Sequence, residues 1–191
     1  MITGASSGIG LAIARTLAKQ GYDLALCARR QDRLAQAKSD LTQQHGVEVV
    51  TQAVDLRDEA AILSFFAAVK EKWGQLDVLV NNAGLGHKES LTSGSTAAWR
   101  EKIEVNVLAL CICTREAVQL MEPAQSGHIV HIGSMSGHRG PAITGLYSAT
   151  KFAVRSLAEI LRRELRSQNS PIRISSISPG IVETEFAQKY Y

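Results

Sequence analysis

Short apolar runs alternate with helix-like segments along the whole 191-residue chain, and that alternation leaves few folds open. Ile9, Ile13, Ala14 and Leu17 have helical spacing and predict a helix over 8–20, ended by Gly21. Tyr22 to Ala28 reads as a short apolar strand, 32–45 as a helix stopped by Gly46, and 47–54 as a strand. A helix over 58–73 precedes Gly74, and a strand over 76–80 runs into Asn81-Asn82-Ala83-Gly84. Beyond a polar loop over 85–95 the pattern gives one long helix over 96–121, a strand over 127–132, a helix over 145–167 and a last strand over 172–177. Strands separated by helices join as right-handed βαβ units, and near-continuous apolar strands are covered on both faces. The fold class is therefore α/β, a doubly wound parallel sheet, read as a single domain over 1–191. Its ligand crevice is expected beyond the carboxyl ends of the strands, where strand order reverses.

Composition excludes several classes. An apolar fraction of 45% with 20% charged residues suits a packed domain. The net charge of +3 gathers into no basic stripe, so no nucleic-acid partner is expected. Arg162-Arg163 lie near Glu159 and Glu164 and read as a solvated helix face. No signal peptide and no apolar run long enough to span a bilayer occur. Cys27, Cys111 and Cys113 lack metal spacing and point to a reducing, cytoplasmic setting. His45, His87, His128, His131 and His138 show no metal spacing either, so no metal site is expected. His131 reads as a core residue, whereas His87 and His138 fall in loops over the expected crevice.

The chemistry-bearing residues fall at strand ends. Gly4-x-x-x-Gly8-x-Gly10 separates a strand remnant from the first helix. Glycines let a backbone approach a pyrophosphate, whose charge a helix N-terminus favours. Ser6 and Ser7 add donors, and Ile9 lies within the same turn. An ordinary glycine turn is the alternative; the strand–turn–helix context favours a dinucleotide. Arg29 and Arg30 close the second strand, where an acid would take ribose hydroxyls and an arginine suits a 2′-phosphate. This favours NADP(H) over NAD(H), against a merely solvated arginine pair. Asp55 either accepts from an adenine amino group or caps the following helix. Asn82, Ala83 and Gly84 form either a plain turn or, from their place beside the first turn, a cofactor contact.

Tyr147 and Lys151 stand at i and i+4 and share a helix face. A free tyrosine has a pKa of about 10, and a nearby ammonium favours the phenolate. Such a pair arises by chance, but Ser134 lies thirteen residues upstream at the end of a neighbouring strand. Its hydroxyl can donate to a carbonyl oxygen, and the three residues together describe an acid/base centre. Asn106, inside the apolar stretch Ile103 to Leu108, is either a satisfied core amide or a residue that holds its helix open and positions a water.

On these residues the chain resembles the short-chain dehydrogenase/reductase family over essentially its whole length. The matching motifs are Thr3 to Gly10, Asn81 to Gly84, Asn106, Ser134, Tyr147-Ser148-Ala149-Thr150-Lys151 and Pro179-Gly180-Ile181-Val182-Glu183-Thr184. The resemblance implies a Rossmann-like sheet and a catalytic tetrad of Asn106, Ser134, Tyr147 and Lys151. It also implies that Val182 and Thr184, in the segment opened by Pro179 and Gly180, approach the nicotinamide carboxamide. Asp55 and Leu56 would flank the adenine, and Tyr147 and Lys151 would also reach the cofactor. Stretches such as Ser134 to Arg139 and Pro179 to Phe186 look like the branch that holds hydroxysteroid and farnesol dehydrogenases.

Two departures from the family pattern carry expectations of their own. Only Met1-Ile2 stand before the Thr3–Gly10 motif, so the central first strand is expected to be largely missing. With parallel neighbours about 4.8 Å apart, its loss would leave a gap of roughly twice that. The family's substrate-covering helices and final strand would follow Thr184, so the chain reads as truncated at both ends.

The expected activity is interconversion of a secondary alcohol and a carbonyl compound with NADP(H), on a small-molecule substrate, in a helix-mediated homo-oligomer. A catalytically inactive nucleotide-binding chain and an isomerase or dehydratase on the same fold are the alternatives.

Overall fold

The structure, a computed structural model, describes residues 1–86 and 89–190, and for Ile143, Lys189 and Tyr190 the backbone alone. His87, one of the two loop histidines singled out above, and Tyr191 lie outside the described residues. One parallel sheet has the order β3-β2-β1-β4-β5-β6. Its strands are β1 (Ile2–Thr3), β2 (Leu24–Ala28), β3 (Val49–Ala53), β4 (Val78–Asn81), β5 (His128–Ile132) and β6 (Arg173–Ile177). The helices are α1 (Gly8–Lys19), α2 (Gln31–His45), α3 (Glu59–Trp73), α4 (Thr96–Ile103), α5 (Ala109–Met121), α6 (Leu146–Ser167) and α7 (Glu185–Tyr190). Strand order reverses between β1 and β4, which sets the crevice there.

Local chemistry accounts for most element ends. Gly46 and Gly74 close α2 and α3 in the left-handed region, at φ +70° and +73°. Asp58 opens α3, its carboxylate accepting from Ala60 N at 2.9 Å and Ala61 N at 3.3 Å. The cap is therefore Asp58, and the capping alternative for Asp55 falls away. On β2, Ala25 and Cys27 join the core under α3, α5 and α6, while Leu24 and Leu26 join the core under α1 and α2. This two-sided cover is what an all-apolar strand requires. Fully buried side chains such as Phe65 and Leu34 each stabilise by about 1.5–3 kcal/mol.

The expected gap at the sheet centre does not form. Ile2 pairs with Leu26 on one side and Val80 on the other, and Thr3 pairs with Cys27. Flanking main-chain bonds extend the ladder: Val80 N donates to Met1 O at 2.9 Å and Ala5 N to Cys27 O at 3.1 Å. Two strand residues suffice because β4 and β2 are themselves only four and five residues long. The Thr3 hydroxyl, 2% exposed, adds a side-chain layer. It accepts from Asn82 N and Ala83 N, both at 3.1 Å.

The long helix expected over 96–121 is also interrupted. A five-residue π-helical turn, Glu104–Leu108, separates α4 from α5. Arg162 and Arg163 pair with Glu159 on the exposed side of α6, as a solvated face should. Among the described residues no helix is long and apolar enough to cross a membrane.

Replacing Thr3 by valine keeps the shape and strips two half-buried amides of their acceptor. Thr3→Val is expected to destabilise the fold by about 1–3 kcal/mol, read as a lower urea midpoint with an unchanged slope.

Candidate active site

The crevice at the β1/β4 switch point is a cleft of about 360 Å³, within the range of small-molecule sites. Its floor is the glycine turn, locked to the end of β4. Asn82 Nδ2 donates to Thr3 O at 2.9 Å and to Gly4 O at 3.2 Å. A Cβ at Gly10 would lie 2.5 Å from both Asn82 Nδ2 and Gly4 O, and one at Gly4 would lie 2.8 Å from the Ala83 backbone. These two glycines are demanded by close approach of backbone to backbone. Gly4, Ser6, Ser7, Gly8 and Ile9 line the cleft, as do Asn82, Ala83 and Gly84. Gly10 does not line it; it stands beneath, as packing for the turn.

At one rim Arg30 reaches over the turn. Its Nη2 donates to Ser7 Oγ at 2.8 Å and Ser6 Oγ at 3.3 Å, and its Nη1 to Glu185 Oε2 at 2.8 Å. Arg29 also lines the cleft but is more exposed and sits 3.9 Å from Glu101. Asp55 and Leu56 form the adjoining wall. Arg57 donates to the Asp55 carboxylate at 3.0 and 3.1 Å through Nε. These bonds hold that carboxyl at about 2, so Asp55 stays ionised.

At the other end Tyr147, Lys151 and Ser134 open onto the same cleft. Lys151 Nζ donates to Ile132 O at 2.8 Å and lies 5.8 Å from the centre of the Tyr147 ring. Burial lowers the ammonium from its ordinary 10.5 to about 8. Ser134 Oγ accepts from Ser136 N at 3.1 Å, which orients the hydroxyl while keeping its proton to donate.

Asn106 does not line the cleft, and both sequence alternatives for it contain part of the answer. It is a satisfied buried amide: Oδ1 accepts from Leu85 N at 2.7 Å, and Nδ2 donates to Leu85 O at 2.9 Å and Thr150 Oγ1 at 3.0 Å. It also sits in the π turn, where one extra residue bulges from the helical ladder. A Cβ at Gly84 would be 3.5 Å from both Asn106 Oδ1 and Lys151 Nζ, so these two polar atoms converge on that glycine.

Pro179, Gly180, Val182 and Thr184 border the cleft along the segment that follows β6. That segment continues into α7, which brings residues that sequence reasoning missed. Glu185 meets Arg30, and the Phe186 ring lies 5.8 Å from that of Tyr147. The signal available in the sequence was a cap-forming residue, Thr184, just ahead of Glu185; in the structure its hydroxyl accepts from Ala187 N at 3.4 Å. His138 bonds Ser178 Oγ at 2.9 Å. His131 is buried, held at 3.2 Å by Asn81 Nδ2, and lowered to about 4 by burial and the Lys151 charge. It stays neutral. Among the described residues no group of three or more metal-ligating side chains gathers.

The short chain dehydrogenase family model matches residues 1–191. The chain belongs to the short-chain dehydrogenase/reductase family. A curated relative from Bos taurus, dehydrogenase/reductase SDR family member 11, is 46% identical over 196 residues, covering all of this chain and 77% of the relative. An alcohol dehydrogenase from the archaeon Thermococcus sibiricus, complexed with 5-hydroxy-NADP, superposes with a TM-score of 0.91 at 36% identity, over 98% of this chain and 78% of that one. A short-chain dehydrogenase/reductase from Burkholderia phymatum in complex with NAD gives 0.94 at 32% identity, over 98% and 67%. The fold and the enzyme class expected from sequence are thereby established, and structural neighbours bind both NADP and NAD forms of the cofactor.

The residues of this cleft fit a dinucleotide. The glycine turn would bring a pyrophosphate against the start of α1, with Ser6 and Ser7 beside it and Arg30 at the adenosine end.

The buried Lys151 has a consequence for stability. Its folded pKa of about 8 lies below the ordinary 10.5, so below pH 8 both folded and unfolded chains hold the proton and the full burial cost is present. That cost is about 3 kcal/mol, and it fades as pH rises from about 8 towards 10.5, where only the unfolded chain keeps the proton. Lys151→Met is therefore expected to raise the melting temperature at pH 7, with the advantage shrinking above pH 8. Calorimetry at pH 7 and pH 9.5 checks this, and a variant that melts lower at pH 7 contradicts it.

Proposed function

We propose that the chain is an NADP(H)-dependent oxidoreductase that interconverts a secondary alcohol with a ketone or aldehyde. The observation that carries this reading is the opening of Tyr147, Ser134 and the buried Lys151 ammonium onto the cleft floored by the glycine turn. Tyr147 gives a proton to the carbonyl oxygen in reduction and takes it from the alcohol in oxidation. The Lys151 charge stabilises the phenolate formed when that proton leaves. Ser134 donates its hydroxyl proton to the same substrate oxygen. Asn106, by fixing Leu85 and Thr150, keeps α6 and the loop after β4 in register and helps to hold a water between Lys151 and solvent.

Nicotinamide supplies or accepts the hydride when bound. Ser6, Ser7, Gly8 and Ile9 would hold its pyrophosphate, and Asp55 and Leu56 the adenine. Ala83 and Gly84 would flank the sugar. Pro179, Gly180, Val182 and Thr184 would orient the carboxamide, and Lys151 would bond the nicotinamide ribose. Arg30 supports the phosphorylated cofactor, since it stands beside Ser6 and Ser7 with Arg33 one helical turn further on. A homo-oligomer joined through the middle helices belongs to this reading. Ile103, Leu108, Phe152 and Ile160 leave apolar surface exposed along α4, the π turn and α6. Three free thiols support a cytoplasmic setting.

Tyr147→Phe is expected to lower turnover of a carbonyl panel by about 10²–10⁴-fold while cofactor affinity holds, which is the range for loss of a positioned acid/base group. Near-normal turnover in that variant refutes the role. In a fluorescence titration Arg30→Ala is expected to weaken NADPH about 10–100-fold and leave NADH unchanged, as loss of charge-assisted bonds implies. Equal losses for both cofactors would remove the case for NADP(H).

A further inference from the structure

The helix after Thr184 is tied to both ends of the cleft through consecutive residues. Glu185 uses one carboxylate oxygen for each of two arginines: Oε2 accepts from Arg30 Nη1 at 2.8 Å, and Oε1 accepts from Arg33 Nη1. The same Arg30 guanidinium reaches Ser7 Oγ and Ser6 Oγ through Nη2. Phe186 stacks at a tilt on Tyr147, and the Thr184 methyl stands 3.3 Å from where a Gly8 Cβ would be. Three residues in a row thus touch the arginine pair, the glycine turn and the tyrosine.

We propose that Glu185 competes with the cofactor's 2′-phosphate for Arg30 and Arg33, making α7 a strap that a 2′-phosphorylated adenosine displaces and an unphosphorylated one does not. The proposal rests on the 2′-phosphate reading of Arg30 given above and adds to it a specificity-determining carboxylate. Two guanidiniums converging on one anion, with Arg30 steadied by the Ser6 and Ser7 hydroxyls that accept from its Nη2, make a receptor for oxygen anions in general. A carboxylate offers one negative charge and two oxygens, whereas a phosphate monoester offers up to two charges and three oxygens. The larger anion gains more from the same donors. The pair it must break is exchangeable, because the Arg30, Arg33 and Glu185 side chains are 37%, 45% and 37% exposed, and exposed ion pairs are weak. Both arginines hold the Glu185 carboxyl below its ordinary range, so it remains a charged competitor at neutral pH. Release of Glu185 frees the adjoining Phe186 from Tyr147. Recognition at the adenosine end thereby uncovers the catalytic end.

The test uses the full chain, calorimetric titration with 2′,5′-ADP and with 5′-AMP, and hydrogen exchange over residues 182–190. Glu185→Gln is expected to tighten 2′,5′-ADP about three- to tenfold, the range for losing weak exposed pairs, with 5′-AMP unchanged. In the unsubstituted protein 2′,5′-ADP is expected to speed exchange over 182–190, and 5′-AMP to leave it as it was. If Arg30→Ala weakens 2′,5′-ADP but Glu185→Gln leaves it unchanged or weaker, the strap is overturned and the cofactor reading stands. If the unsubstituted protein binds both nucleotides alike and Arg30→Ala alters neither, the cofactor reading itself fails and takes the strap with it. Unaltered exchange over 182–190 with saturating 2′,5′-ADP overturns the displacement even where affinities move as expected.

Discussion

Everything in the cleft depends on a small knot of hydrogen bonds between Thr3 and the Asn82–Ala83 backbone. The Thr3 hydroxyl takes both amides, and Asn82 returns its own amide group to Thr3 and Gly4. This knot does two jobs at once. It anchors a central strand of only two residues between its neighbours, and it holds the glycine turn against the end of β4. Backbone then approaches backbone so closely that no side chain fits at Gly4 or Gly10. A dinucleotide site needs that closeness, since pyrophosphate binding relies on main-chain amides at a helix start rather than on long side chains.

A second network carries the polar chemistry below the cleft. Lys151 is held by the Ile132 carbonyl and desolvated, which weakens its hold on a proton and makes its charge effective at short range. Asn106 secures this arrangement at a distance by bonding Leu85 and Thr150, while Thr150 in turn donates to the Tyr147 carbonyl at 2.7 Å. The π turn is the backbone form this takes, because an extra residue in the turn alters how α4 and α5 follow one another across Asn106. A site tuned in this way opposes stability, since a buried ammonium with one carbonyl partner costs more than an apolar side chain in its place.

α7 sets the boundary between the two ends. Glu185 and Phe186 are neighbours in sequence, yet one faces a charged rim and the other a buried phenol. A helix of six residues with exposed ion pairs is held weakly, so its position is open to control by whatever anion enters beside Arg30.

Much of this was legible without coordinates. Periodicity placed the helix now seen at Gly8–Lys19 and the strand at Arg173–Ile177 to within a residue or two, because each is decided by which of its own residues are apolar. The glycine turn and the Tyr147–Lys151 pair were readable for the same reason: their spacing is local. Other features needed the folded chain. Asn106 breaks the 96–121 helix through partners 21 and 44 residues away, Asp58 rather than Asp55 caps α3, and Glu185 finds an arginine 155 residues distant. Sequence alone determined the order of elements and the residue types at each strand end, since those follow from short-range sterics and hydrophobic spacing. Only the tertiary structure decided that two residues make a central strand and that α7 lies across the cleft, because both are settled by groups brought together through packing rather than by neighbours along the chain.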